Sequence, residues 1–131
     1  MLKKIYHVGL AVRDLDKAIQ FFKQTYGAKL LWRRTFEPIA QESAFMELGE
    51  EHFEIACSLS PDGVMAKFIE TRGEGIHHIS WEVDDMDRTV KELRDRGLTV
   101  IGEVTTDLGK VAFVHPKNNM GMLMELYQPL N

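Results

Sequence analysis

The chain has 131 residues, a formal net charge of −4 and a 44% hydrophobic, 27% charged composition, which is that of an ordinary globular domain. Lysine and arginine never run more than two together, which argues against nucleic acid or an anionic membrane as the main partner, and no apolar stretch nears the roughly 18 residues that span a bilayer. The one cysteine, Cys57, permits no internal disulfide, so the expectation is a reducing, cytoplasmic setting with Cys57 buried in a strand.

At the N-terminus, "MLKKIYHVGLAV" places two lysines before a short apolar run, as a secretory leader would. His7 interrupts that run, Arg13 and Asp14 end it, and no small-residue cleavage pattern follows. "IYHVGLAV" therefore reads as an alternating strand. A helix follows over 14–26, with Asp14 as its cap, Leu15, Ile19 and Phe22 as a core-facing stripe, and Gly27 as its stop. Strands are expected in "AKLLWRRTF", "SAFMEL" and "HFEIACS", the last two joined by a tight turn at "GEE". The segment "SPDGVMAKFIETRGEG" reads as a short amphipathic linker helix, at about 60–74, between Pro61 and Gly73. Beyond it the order repeats. "HHISWEV" is a strand, 84–96 a helix with Met86, Val90 and Leu93 inward, and "LTVIGEV", "KVAFVHP" and "GMLMELYQ" are three further strands.

The repetition extends to individual residues. Setting "HVGLAVRDLDKAIQFF" above "HISWEVDDMDRTVKEL" pairs His7 with His78, Val12 with Val83, Asp14 with Asp85 and Asp16 with Asp87, at an offset of 71. Glu54 in "HFEIACS" and Glu125 in "LMELYQP" are separated by the same 71 residues. The expected architecture is thus α+β: one domain over 1–131 built of two tandem βαβββ modules, about 3–58 and 75–129. Its eight strands are expected to form a sheet cupped around a metal site.

A carboxylate on a buried sheet face is costly unless it is paired, protonated or bound to a metal. Two histidines and two glutamates, related by one internal symmetry, would neutralise a divalent cation and suit Mn, Co, Ni, Fe or Zn. Neighbouring strand residues face opposite ways, so only one of His77 and His78 can join such a site. His78 aligns with His7, and His77 aligns with Tyr6. His52 and His115 lie near turns without symmetric partners, and are expected at the surface or just outside the site.

With "HVGLAV…DL" opening one module and "HHISWEVDD" the other, the chain resembles the vicinal oxygen chelate family, which includes glyoxalase I, from about residue 3 to 128. The stretches "AKFIETRGEGIHHISWEVDD", "KVAFVHPK" and "MELYQ" are most similar to the methylmalonyl-CoA epimerases within it. The resemblance implies a metal ligand set of His7, Glu54, His78 and Glu125. Glu54 stands where those epimerases often have Gln, which makes this site more negative. It also implies a metal-dependent isomerase that removes and returns a proton α to a thioester carbonyl through a metal-stabilised enolate. The substrate would be an acyl-CoA and the assembly a homodimer. Glu125 would be one base; the other falls by spacing on Glu37 in "RRTFEPIAQESAF". That segment departs from the epimerases' usual Glu-Glu-Gln-Gly run, so Glu42 and Glu47 are alternatives. Two other functions fit the same fold: a glyoxalase I-like lyase acting on a thiol hemithioacetal, and a non-catalytic binding or resistance module, which would need no metal ligands.

Overall fold

The computed structural model describes residues 1–130. The chain forms two compact units, one of residues 7–77, the other of residues 1–6 together with 78 onwards. In chain order the elements are β1 (Leu2–Ala11), α1 (Leu15–Tyr26), β2 (Lys29–Phe36), a 3-10 turn (Glu37–Ile39), β3 (Gln41–Leu48) and β4 (Glu51–Ser58). There follow α2 (Val64–Arg72), β5 (Gly75–Val83), α3 (Met86–Asp95), β6 (Val100–Thr105), β7 (Gly109–Val114) and β8 (Met124–Pro129). The eight strands are ordered β2-β3-β4-β1 in the first unit and β5-β8-β7-β6 in the second.

The repeated aspartates do the same work in both halves. Asp14 is extended at the start of α1 and its carboxylate accepts from the Lys17 amide at 3.0 Å; Asp85 does so from the Arg88 amide at 3.0 Å at the start of α3. Each supplies an acceptor to a helical amide that has no partner within the helix. At the far end of α1, Gly27 takes the left-handed φ of 74° and its amide donates to the Lys23 carbonyl, which ends the helix.

The helices bury the expected stripes. Leu15 and Ile19, with Phe22 beside them, pack on Ala44, Met46, Ile55 and Cys57 of β3 and β4. In the second unit Met86 and Val90, with Leu93, pack on Val100, Ala112, Val114 and Leu126. Because strand side chains alternate, sending Ile55 and Cys57 toward α1 turns Glu54 to the other face, and sending Leu126 toward α3 does the same to Glu125. The linker helix α2 covers that other face at the ends of β1 and β4, with Met65 and Ile69 against Ala11 and Ala56.

Two features differ from the expected elements, one for a local reason and one for a tertiary reason. The final strand begins at Met124, because Asn118, Met120 and Gly121 all have left-handed φ (63°, 56° and 74°) and coil the chain through a turn. The first six residues pack with the second half rather than the first: Lys3 lies 3.5 Å from Glu82, and the Tyr6 ring stacks on Tyr127 at 4.2 Å.

Gly109 opens β7 with a φ of 155°, and a Cβ there would collide with the Gln128 carbonyl oxygen and come within 2.9 Å of the Tyr127 ring. The close approach is fixed from both sides, since the Tyr127 hydroxyl donates to the Leu108 carbonyl at 2.9 Å. Gly109→Ala is therefore expected to cost about 2–4 kcal/mol, read as a drop in the urea midpoint, through backbone strain and overpacking together. A midpoint equal to the parent's would show that the β7–β8 contact yields freely.

Candidate metal centre

In the first unit His7 lies on β1 and Glu54 on β4. These strands pair in parallel with Gly9 opposite Glu54, so His7 and Glu54 share a face. Their ligand atoms lie within 4.8 Å of one another. His7 is buried, and burial together with the nearby His52 lowers its pKa to about 4. A neutral imidazole is the form that offers a lone pair to a cation.

The second unit builds a matching pair. His78 on β5 and Glu125 on β8 are both buried, with Nε2 of the one 4.0 Å from Oε1 of the other. Burial pushes the Glu125 carboxyl well above the ordinary range; the Ser80 hydroxyl, on its register partner, works in the opposite sense. A carboxylate so far from water is the kind of group a bound cation stabilises. Two buried imidazoles and two carboxylates suit a divalent transition metal by donor type and by charge. The chemistry of this donor set thus fits the expected group.

An aromatic ring accompanies each pair. Phe45 sits opposite Glu54 in the β3–β4 register and meets the His7 ring edge-on at 5.6 Å and 82°. Phe113 sits opposite Glu125 in the β7–β8 register and meets the His78 ring edge-on at 6.1 Å and 86°. Neither phenylalanine stood out in the sequence, because they are 68 residues apart rather than 71. The segment from Phe113 to Glu125 is three residues longer than that from Phe45 to Glu54, so only a comparison allowing a gap in that turn would align them.

The other candidates separate by face. His77 points away from His78 and packs edge-on against Phe68 at 5.0 Å. His115 is exposed, and its Nδ1 accepts from the Lys117 amide at 2.9 Å. His52 is half-buried on the same face as Glu54, stacked on Phe45 at 5.3 Å, with Nε2 3.3 Å from Glu47. Glu42 lies on the opposite face, where both its oxygens accept from Arg33 at 2.8 and 3.2 Å while Arg33 also reaches Asp16 of α1. Glu37 is exposed on the 3-10 turn that follows β2.

Comparison with known proteins agrees with this architecture. The profile of the glyoxalase/bleomycin resistance protein/dioxygenase superfamily matches residues 6–113. The chain is 31% identical over 131 residues to the mitochondrial methylmalonyl-CoA epimerase of Homo sapiens, covering 97% of this chain and 74% of that one. It is 31% identical over 133 residues to the ethylmalonyl-CoA/methylmalonyl-CoA epimerase of Cereibacter sphaeroides, covering 98% and 99%. A solved variant of the Streptomyces coelicolor methylmalonyl-CoA epimerase, in complex with 2-nitronate-propionyl-CoA, superposes with a TM-score of 0.93 at 26% identity, covering both chains completely. This chain belongs to the glyoxalase/bleomycin resistance protein/dioxygenase superfamily. Within it, epimerases of methylmalonyl-CoA are among its relatives of like length and fold.

Proposed function

We propose that this chain is a metal-dependent epimerase of a small branched acyl-CoA such as methylmalonyl-CoA, acting in the cytoplasm as a homodimer. His7, Glu54, His78 and Glu125 would together hold one divalent cation (Co, Mn, Ni, Zn or Fe). The observation that carries the proposal is the doubled motif: each unit sets a buried histidine and a glutamate on one strand face, at the same offset in sequence and with the same aromatic neighbour, Glu54 half-buried and Glu125 buried. A binding module without chemistry has no use for two such histidine–glutamate pairs. The relatives' acyl-CoA substrates support the substrate class.

When bound, the cation stabilises the negative charge that grows on the carbonyl oxygen as the α-proton leaves. The chain's own residues do the rest. His7 and His78 are fixed in the strands and would supply the imidazole donors. Glu125, held by β8 beside His78, would accept and return a proton at its carboxylate oxygen. Epimerisation needs a second base on the opposite face of the same carbon, and Glu37 is assigned that role. Its exposed turn would have to close over bound substrate.

The test is α-proton exchange. With Co or Mn added, methylmalonyl-CoA in deuterium oxide should gain deuterium at the α carbon at a rate that scales with enzyme, while methylglyoxal plus thiol should remain unchanged. Turnover of the hemithioacetal without exchange on the thioester would move the chain to the lyase reading. Neither activity in the metal-loaded protein would favour a binding module.

A further inference from the structure

We propose that Phe45 and Phe113 are a symmetric pair of positioning residues for the metal centre, each holding the imidazole of its own unit edge-on. The inference rests on the metal-binding reading above and concerns how the ligands are oriented. A histidine ligand is useful only when its ring plane points the lone pair at the cation, and free rotation of the ring spreads that direction. Groups that touch the ring on its other sides remove the freedom.

The contact occurs twice, in separate units, with the same geometry: edge-on, near-perpendicular, with the phenylalanine directly opposite the unit's glutamate. Simple filling of space does not require that coincidence. The turns between the strands differ by three residues, yet the ring returns to the same place beside the histidine.

Each ring is itself held, by different means. Phe45 is 5% exposed and lies between Trp32 on β2, at 5.2 Å and 5°, and His52 on β4, at 5.3 Å and 15°. His52 is in turn tied to Glu47. Phe113 rests on Gly102, which has a left-handed φ of 66° and sits at the break in the β6–β7 register; a Cβ there would already touch the ring at 3.4 Å. His7 and His78 are thus backed by rings with little room to tilt.

The proposal separates from a purely packing role through paired variants. Leucine keeps the bulk of the side chain but removes the ring; tyrosine keeps the ring. Co(II) would be titrated by calorimetry into the parent, Phe45→Leu, Phe113→Leu and Phe113→Tyr, with the visible Co(II) absorption recorded at saturation. Both leucine variants should bind about 10–100-fold more weakly and show altered Co(II) bands while remaining folded as metal-free proteins, Phe45→Leu with a lowered melting temperature from the ring contacts it loses. Phe113→Tyr should restore affinity and bands together. Leucine variants with parental affinity and spectrum would overturn the proposal, as would a tyrosine variant as weak as the leucine one. Should Phe45→Leu fail to fold, the two Phe113 variants decide alone. A parent that binds no Co(II) would instead remove the metal-binding reading itself, and this inference with it.

Discussion

Replacing His78 with alanine is expected to abolish stoichiometric metal binding and α-proton exchange, while replacing its neighbour His77 leaves both close to the parent. The two side chains are adjacent in sequence and opposite in space. His78 is buried beside Glu125, whereas His77 packs against Phe68 of the linker helix. Loss of a group that merely orients a ligand costs about 10–100-fold in metal affinity, so loss of a ligand itself should exceed that. His77→Ala removes only an aromatic contact, and its cost should be about 1 kcal/mol of stability, near the centre of the distribution for point variants. Metal content after dialysis, with circular dichroism to confirm folding, reads the comparison directly. Equal metal in both variants would overthrow the ligand assignment.

Glu37→Gln should retain the metal and lower isotope exchange by about 10²–10⁴-fold, the usual worth of a positioned general base. Glutamine preserves the shape of the side chain and deletes its basic oxygen. Because Glu37 is exposed on a 3-10 turn, the substitution should leave the melting temperature unchanged. Glu42→Gln is the natural control: its carboxylate is engaged by Arg33 on the face turned toward α1, so exchange should stay at the parental rate. Parental exchange in Glu37→Gln would move the second base elsewhere. Glu47, on the face of Glu54 and beside His52, would then be the carboxylate to replace.

Much of this architecture is legible locally. An aspartate before an apolar stripe and a glycine after it fix where α1 begins and ends, because a helix terminus is settled by hydrogen bonds that reach only three or four residues. The period-two alternation of "HFEIACS" puts Glu54 on the face opposite Ile55 without knowledge of what covers either. The constant offset of 71 then marks the same four polar positions in both halves.

Other features depend on contacts between residues far apart in the chain. Glu37, Glu42 and Glu47 are close in sequence and equally plausible as bases by composition. The β2–β3 register and the position of Arg33 set Glu42 apart, since that register puts Thr35 opposite Glu42 and turns both toward α1. Residues 1–6 continue the first strand, yet the contacts of Lys3 with Glu82 and of Tyr6 with Tyr127 assign them to the second unit. Phe45 and Phe113 escape a fixed-offset comparison because turn length drifts freely at a surface, where a few extra residues cost little, while the ladder on either side restores the register. The sequence by itself determined the helix ends, the strand faces and the doubled histidine–glutamate set, all of which follow from spacing along the chain. Tertiary structure alone decided which rings stand against His7 and His78 and that Glu42 faces away from Glu54, because strand register and side-chain packing join residues that no local period relates.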